Sequence, residues 1–348
     1  MSSFDHSFPL PYRVTVQLTL AVWGWTLNVS GLNKAHIDCS QVIKFHHPAG
    51  LSSALYTLAS AMTLVLLFSM SLFWLQASPP TPSEEVGHQD FLPWITFICM
   101  LFILFYPGRA PGRARLLSVF RRILLGGIDR ENRLQDILVA DVLTSYSRVI
   151  TDVVIMFASL YNGRSCIVPP ERSQAPVLVI LIFSLAPFLI RLNQCFIEWR
   201  STGKQTHILN LFKYATAFPM AFARLWSSSD GSLQLWVFTA FVNSAYSFIW
   251  DIRCDWDLNI QSLRPIRYFG SKKVYYLAVI LDLLLRFTWS LKLFPAWSLV
   301  TDTECGMFYL ALVEIFRRWF WVFLRIESDW AANHLKDFDL PVIEDKTS

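Results

Sequence analysis

Residues 307–326 read MFYLALVEIFRRWFWVFLRI, a stretch that is long enough to cross a lipid bilayer and is mostly apolar. A bilayer core of about 30 Å takes about 20 apolar residues of α-helix, because every backbone polar group must be paired internally. The charged exceptions in this stretch are Glu314, Arg317, Arg318 and Arg325. A charge near the bilayer centre costs about 2.5–3.5 kcal/mol, so it normally faces a partner or a water-filled path. The stretch therefore predicts a membrane helix with a functional polar face.

The composition of the whole chain also indicates a membrane protein. Of its 348 residues, 54% are hydrophobic and 16% are charged, against about 45–50% and about 25% in soluble domains. The net charge of +4 is spread along the chain, which argues against a nucleic-acid partner. The cysteines and histidines show no CxxC or HxxxH spacing, so we expect neither a metal site nor a cofactor.

Eight other stretches are, like residues 307–326, long and apolar enough to cross a bilayer, which predicts an all-α, polytopic bundle of about nine or ten transmembrane helices. The predicted spans are 14–32, 51–75, 91–107, 137–160, 176–197, 208–226, 233–252, 274–294 and 307–326. The arginine-rich run 113–128 predicts either an amphipathic helix at the membrane surface or a tenth span. Nine spans place the N-terminus outside the cytosol, and ten place it inside.

Lysine and arginine in the short loops set the expected orientation, because basic loops stay in the cytosol. The segment 109–133 carries seven arginines and is expected in the cytosol, as are the loops 198–207 and 253–273. The loops 161–175 and 295–306 then lie on the other side of the membrane.

Charge is divided unevenly among the spans. The first three spans carry no charged residue, whereas the last six carry nine basic and five acidic side chains. They are Asp141, Arg148, Asp152, Arg191, Lys213, Arg224, Asp251, Asp282, Arg286, Lys292, Glu314, Arg317, Arg318 and Arg325. A surplus of positive charge inside the bundle favours an anion path over a cation path.

Helical spacing groups these charges into stripes. Glu314, Arg317 and Arg318 lie at i, i+3 and i+4, and Asp282 and Arg286 repeat the i, i+4 arrangement one span earlier. Guanidinium suits a tetrahedral oxyanion, because its planar fork can bind two oxygens. Neighbouring carboxylates keep such arginines paired when no anion is bound.

On the fourth span, Asp141, Ser145, Arg148 and Asp152 share one face, with Thr144 beside it. Some charges have an alternative structural role. Arg286, Arg317 and Arg318 would then form structural ion pairs, and Asp251 and Asp255 would cap a helix end. Side chains near span ends would extend to the lipid headgroups instead, which applies to Arg191, Arg224, Lys292 and Arg325.

Three strings resemble the EXS domain of the SPX-EXS phosphate exporters: SFIWDIRCDWDL (247–258), YYLAVILDLLLRFTWSLKL (275–293) and LVEIFRRWFWVFLRIESDW (312–330). The similarity is densest over 136–335. The chain resembles an EXS-only fungal branch of this family, which includes the yeast ER-retention-defective protein and works in the Golgi. Nothing in the chain resembles an SPX domain, so regulation by inositol pyrophosphates through this chain is not expected.

The resemblance implies transport of inorganic phosphate and assigns roles to matching residues. The phosphate-binding and pore residues it implies are Asp141, Lys213, Arg286, Glu314, Arg317 and Arg318. It also implies a gate at Trp289 and supporting acidic residues at Asp251 and Asp255. Spacing adds Thr144, Arg148 and Asp282 as supporting residues; Thr144 stands where the family has asparagine.

The expected organisation is an N-terminal part (1–135) with apolar spans and the basic segment, an EXS transport core (136–330) and a cytosolic tail (331–348). The leading hypothesis is a facilitative phosphate channel or uniporter that returns phosphate from the Golgi lumen to the cytosol. Since the chain contains no P-loop, it does not power transport itself. The ER or plasma membrane is the alternative location.

The alternative function is a Golgi scaffold or sorting factor that retains glycosyltransferases and lumenal ER proteins. An enzyme is not expected, because the DxD-like Asp255-Trp256-Asp257 lies in a predicted cytosolic loop within a family signature. The expected partners are inorganic phosphate, membrane lipids, a second copy of the chain as a homodimer, and Golgi proteins that sort glycosyltransferases.

Overall fold

A computed structural model describes residues 3–44, 50–76, 86–106, 111–173, 175–225, 230–258 and 271–339. Within these ranges every regular element is helical, which confirms the predicted all-α class. Arg109 of the basic segment, residues 259–270 of the last basic loop and residues 340–348 of the tail lie outside the described residues.

The α-helices are numbered here in chain order. They are α1 (Ser3–Ser7), α2 (Leu10–Lys34), α3 (Cys39–Val42), α4 (Leu51–Gln76), α5 (Phe91–Phe105), α6 (Pro111–Leu124), α7 (Arg133–Ser145), α8 (Ser147–Tyr161), α9 (Val177–Thr202), α10 (Gln205–Ala215), α11 (Ala217–Leu225), α12 (Asp230–Trp250), α13 (Lys272–Arg286), α14 (Pro295–Thr301) and α15 (Glu304–Asp339). Short 3₁₀ helices form at His88–Asp90 and Thr288–Leu293, and a π-turn forms at Asp251–Asp255.

Each of the nine predicted spans coincides with one helix or with two consecutive helices. By length and hydropathy, four helical stretches among the described residues could each cross a membrane unaided. They are Leu51–Gln76, His88–Phe105, Val177–Thr202 and Lys272–Leu293. The other predicted spans are more polar or are divided, so their stability in a membrane depends on packing against their neighbours.

Contacts between remote residues show which helix ends lie together. Arg13, at the start of α2, pairs with Glu304, at the start of α15, at 2.9 Å, and Arg172 pairs with the same carboxylate at 2.7 Å. These three residues define the outer end of the bundle. Gln135, at the start of α7, donates to the carbonyl of Ile43, which places both residues at the opposite, inner end.

Helix α6 lies at the inner end and is not a tenth span. It has 14 residues and is therefore about 21 Å long at 1.5 Å per residue. Its Arg122 pairs with Asp136, and its Arg115 donates to Gln135 at 3.1 Å, so both arginines contact the start of α7. Of the two alternatives for run 113–128, the structure matches the amphipathic helix. The nine predicted spans therefore match helices other than α6, and residues 3–13 lie at the outer end; the number that crosses a membrane stays a prediction.

Three spans change their helical form near the middle of the bundle. Helices α7 and α8 are separated at Tyr146, and α10 and α11 are separated at Thr216. Helix α13 continues as the 3₁₀ helix Thr288–Leu293. In membrane proteins such interruptions occur where backbone is buried in protein or lines a polar cavity.

A threonine hydroxyl donates to the backbone carbonyl three residues earlier at each of these interruptions. Thr144 donates to Asp141, Thr216 to Lys213 and Thr288 to Leu285, at 2.7, 2.6 and 2.9 Å. These bonds satisfy carbonyls that an unbroken helix would pair with later amides.

Helix α2 packs closely against α15 at two glycines. A Cβ at Gly24 would lie 2.1 Å from Cε2 of Trp319, and one at Gly31 would lie 3.2 Å from Cε2 of Phe323. Asn28, between the two glycines, donates to the Trp319 carbonyl at 2.9 Å. These contacts fix the position of α15, which carries the charged stripe.

Candidate functional site

Arg317 is surrounded by three carboxylates from three elements. Its guanidinium lies 2.6 Å from Glu314 on its own helix, 3.4 Å from Asp282 on α13 and 3.6 Å from Asp251 at the π-turn. Its side chain is only 3% exposed. Asp251 is the first residue of the π-turn that follows α12, so α12 changes its helical form where it contacts α13 and α15.

Arg286 shares two of these carboxylates. It pairs directly with Asp251 and lies 3.6 Å from Asp282, four residues earlier on α13. Asp251 and Asp282 therefore bridge Arg286 and Arg317. This arrangement agrees with the ion-pair stripes that the spacing predicted and gives Asp251 a place inside the cluster rather than a capping role.

Arg318 has a different environment from its neighbour Arg317. Its Nε donates to the Ser145 hydroxyl at 2.8 Å, and its Nη2 donates to the Thr144 hydroxyl at 3.1 Å. Its guanidinium carbon lies 4.7 Å from the ring centre of Trp321. Within the described residues no carboxylate lies within 4.0 Å of it. Arg318 therefore has hydroxyls, and no carboxylate among the described residues, as its direct partners.

Asp141 is held in a separate buried group on α7, α9 and α10. Its carboxylate lies 2.7 Å from Nε of Arg191 and accepts a hydrogen bond from the Tyr214 hydroxyl. Arg191 is 2% exposed, so the alternative of a side chain extended to lipid headgroups is wrong. Asp141 lies four residues from Ser145 on the same helix, but its charge is already compensated by Arg191.

Lys213 lies between this group and the inner end of the bundle. Its Nζ is 3.7 Å from Asp255 and 4.5 Å from the ring centre of Tyr214. Arg325 contacts the other oxygen of Asp255 at 4.0 Å and Asp329 at 3.5 Å. Asp255 thus joins a lysine from α10 to an arginine from α15.

The predicted surplus of positive charge does not hold for the centre of the bundle. The described residues bring together five cations and five acids there. They are Arg191, Lys213, Arg286, Arg317 and Arg318 with Asp141, Asp251, Asp255, Asp282 and Glu314. The count of charges within the predicted spans left out acidic residues that lie beyond the span ends. Two of them are Asp255, which pairs with Lys213, and Asp302, which lies 3.6 Å from Lys292.

Trp289, the predicted gate, lies on the 3₁₀ helix beyond Arg286. Its indole nitrogen donates to the Ser244 hydroxyl at 2.9 Å, and its ring meets Trp236 edge-to-face at 5.6 Å. One side of the ring lines an apolar groove of about 470 Å³ along α12, together with Val237 and Phe238. Its role as a gate stays a prediction.

A second set of ion pairs lies at the outer end and extends toward the centre along α8 and α15. Arg172 contacts Asp152 at 2.9 Å and Glu304 at 2.7 Å, and Arg148 lies 3.5 Å from Asp152. Burial alone would raise the pKa of the Glu304 carboxyl, but the hydrogen bond and charge of Arg172 outweigh it and lower that pKa, so Glu304 stays ionised. The spacing identified Arg148 and Asp152, but not their loop partner Arg172.

A comparison with known families covers nearly all of the described structure. Residues 8–331 match the family model described as the EXS family. The chain belongs to the EXS family. The match includes the spans before residue 136, which lie outside the three strings and outside the region of densest similarity. Family membership is therefore not confined to the predicted core.

Similar full-length proteins in this EXS family occur in yeasts. Protein ERD1 homolog 1 of Schizosaccharomyces pombe is 28% identical over 94% of this chain and 92% of its own length. Protein ERD1 of Saccharomyces cerevisiae is 27% identical over 92% of this chain and 93% of its own. Solute carrier family 53 member 1 of Mus pahari is 28% identical over 67% of this chain, but over only 38% of its own length. The chain is therefore a multi-pass membrane protein of a family that includes a named solute carrier.

Proposed function

We propose that this EXS-family protein carries inorganic phosphate across the Golgi membrane, from the lumen to the cytosol, down the phosphate gradient. A relative named as a solute carrier supports a transport function. The full-length similarity to proteins named ERD1 supports a role in the secretory pathway. The direct contacts of Arg318, which are with two hydroxyls, support an anion as the substrate.

The observation that carries the proposal is the environment of Arg318. A buried arginine that donates to two hydroxyls, and not to a carboxylate, has a charge available for an anion. The hydroxyls of Ser145 and Thr144 accept from Arg318 and donate to Glu314 and to the Asp141 carbonyl, so an oxyanion at Arg318 gains their protons only by displacing these two acceptors. The planar guanidinium of Arg318 suits a tetrahedral phosphate, because it can bind two of its oxygens.

Glu314 provides selectivity for a protonated anion. Its carboxylate lies 2.6 Å from the Ser145 hydroxyl and is 36% exposed, so one edge remains open beside the Arg318 partners. Phosphate carries a proton near neutral pH and can donate it to this carboxylate, whereas sulfate has none and is repelled. An acceptor that pairs with only one of two ligands discriminates between them.

The carboxylates around Arg286 and Arg317 keep phosphate from binding too tightly. An anion that reaches these arginines must compete with Asp251 and Asp282, which already contact both. Transport requires binding that is strong enough to admit the ion and weak enough to release it. Lys213, farther toward the inner end and paired with Asp255, is the next cation on this route.

The test measures efflux of radiolabelled phosphate from proteoliposomes that contain the purified protein. We expect Arg318→Ala to lower the efflux rate by at least about tenfold, which corresponds to about 1.4 kcal/mol, the order of one charge-assisted hydrogen bond. Arg121→Ala is the matched control, because Arg121 is an exposed arginine on α6. A folded Arg318→Ala protein with wild-type efflux would contradict the assignment.

Retention of Golgi and ER proteins is the second candidate function, and the full-length similarity to proteins named ERD1 favours it. The two candidates differ in how they depend on the buried arginine. A scaffold acting through its surface should keep glycosyltransferases in place when Arg318 is replaced by alanine. A retention role that follows from phosphate transport should be lost together with phosphate efflux.

A further inference from the structure

Charged side chains along the seam between α8 and α15 are partly exposed, although they lie within the bundle. The exposed fractions are 36% for Glu314, 27% for Arg148 and 25% for Arg172. Deeper in the cluster, Arg317 is 3% exposed and Asp282 is fully buried. These three side chains are therefore more exposed than the central cluster, whereas Asp152 and Glu304 beside them are 10% and 13% exposed.

The exposed edges of these charges must face water. A charged group in contact with acyl chains is strongly unfavourable, so intramembrane charges face partners or a water-filled cavity. The partial exposure of Glu314, Arg148 and Arg172 therefore indicates a crevice beside α8 and α15 that extends inward as far as Glu314.

The seam places cations at intervals along this crevice. Nη2 of Arg148 lies 2.7 Å from Sδ of Met307, which precedes Glu314 by seven residues, or about 10 Å along the helix. Glu304, the partner of Arg172, lies three residues farther out, about 4.5 Å along the same helix. Arg172 and Arg148 thus continue outward the line that begins at Arg318.

The two outer arginines share one carboxylate. Asp152 lies 2.9 Å from Arg172 and 3.5 Å from Arg148. A tetrahedral oxyanion has enough oxygens to contact both guanidinium groups at once. It would take over the contacts that Asp152 makes, while the fork of Arg172 on Glu304 keeps the loop in place.

We propose that the α8–α15 seam is the outer half of the anion path and that Arg148 and Arg172 form an oxyanion-binding station at its mouth. The proposal rests on the transport function above and adds a binding site to it. Inorganic phosphate and the phosphate of a lipid headgroup share the chemistry that this station recognises. Phosphate from the outer solution binds first between Arg148 and Arg172 and then moves to Arg318.

The first test measures water access with a membrane-impermeant thiol reagent. In a background in which Cys99, Cys254 and Cys305 are serine, Arg148→Cys should be modified, and added inorganic phosphate should slow its modification. Phe157→Cys is the matched control, because Phe157 is a 50% exposed residue of the same helix on its lipid-facing surface. It should react far more slowly. Equal reactivity of the two cysteines would contradict the proposal of a water-filled crevice at residue 148.

The second test measures phosphate flux. We expect Arg148→Gln and Arg172→Gln each to raise, by about tenfold, the phosphate concentration at the outer side that gives half-maximal flux, which corresponds to about 1.4 kcal/mol. The phosphate concentration at the inner side that gives half-maximal flux should stay unchanged. Arg164→Gln is the control, because Arg164 lies in the same loop and pairs with Glu171, away from the seam.

The outcomes separate the two proposals. If the wild type moves phosphate and Arg318→Ala does not, but Arg148→Gln and Arg172→Gln behave as the wild type, the station is wrong and the transport function stands. If the wild type moves no phosphate, the transport function fails. If phosphatidic acid protects Arg148→Cys and inorganic phosphate does not, the site binds a lipid headgroup and the path is wrong.

Discussion

Arg317 and Arg318 are adjacent in the sequence, yet the first contacts three carboxylates and the second contacts two hydroxyls. The difference follows from helix geometry, because successive residues point about 100° apart around α15. Arg317 faces α13 and the π-turn, whereas Arg318 faces the end of α7. We therefore propose different roles for the two arginines: Arg317 holds the carboxylates together, and Arg318 binds the anion.

Arg317→Ala should destabilise the protein more than Arg318→Ala. The first substitution leaves Glu314 without its arginine and leaves Asp282 and Asp251 with Arg286 alone, at a cost of about 3–5 kcal/mol. The second leaves only two hydroxyls, at a cost of about 1 kcal/mol. Thermal unfolding in detergent measures both, and a larger fall in Tm for Arg318→Ala would contradict the division of roles.

Glu314→Gln should lower the selectivity for phosphate over sulfate. The neutral amide no longer repels an unprotonated anion, so the ratio of phosphate flux to sulfate flux should fall by about tenfold, which corresponds to about 1.4 kcal/mol. Competition of sulfate with labelled phosphate in proteoliposomes measures this ratio. Glu171→Gln is the control, because Glu171 is an exposed carboxylate that pairs with Arg164. An unchanged ratio in Glu314→Gln would exclude the proton-donor contact.

Asp141 and Arg191 should show strong energetic coupling. Each is less than 5% exposed, and they lie 2.7 Å apart. Removal of one partner leaves a buried charge and should cost about 3–5 kcal/mol. In a double-mutant cycle of Asp141→Asn and Arg191→Met, the double variant should be more stable than the sum of the single losses implies. Additive losses would contradict a direct pair.

Gly24→Ala should destabilise the packing of α2 against α15. Its Cβ would lie 2.1 Å from the Trp319 ring, so the ring must move, whereas at Gly31 the nearest atom is 3.2 Å away. We expect Gly24→Ala to cost about 1–3 kcal/mol. Gly31→Ala is the matched control on the same helix and should change Tm less. Equal Tm values for the two variants would exclude this close contact.

Thr216→Val should impair transport more than the loss of one hydrogen bond would suggest. The Thr216 hydroxyl donates to the Lys213 carbonyl at the break between α10 and α11 and accepts from Asn243. Thr57→Val removes a comparable bond, to the Ser53 carbonyl, from the exposed face of α4. Both should cost about 1 kcal/mol of stability, but only Thr216→Val should lower phosphate flux. Equal phosphate flux in the two variants would show that the break between α10 and α11 has no role in transport.

Much of the architecture could be predicted from the sequence, because hydropathy over about 20 residues is a local property. Hydropathy identified the nine predicted spans, and helical spacing identified the stripes around Glu314 and Asp282. The break at Thr216 has a visible signal in Pro219, which cannot donate the backbone bond that would continue the helix. The break at Tyr146 has no such signal.

Pairing between remote segments could not be predicted from spacing. Arg13 and Glu304 are separated by 291 positions, and Arg172 lies in an irregular loop where helical periodicity gives no direction. Arg191 near a span end had two equal interpretations, and only its contact with Asp141 decides between them. The charge balance at the centre was missed for the same reason, because Asp255 lies beyond the end of its span.

The threonine-held interruptions in three spans have a mechanical consequence. Each of these spans consists of two short rods joined at the depth of the anion site, so the outer rod can tilt while the inner rod stays still. A helix without such a joint would have to move along its whole length. We therefore expect any opening toward one compartment to occur by bending at residues 146, 216 and 287, with the remaining helices as a fixed frame.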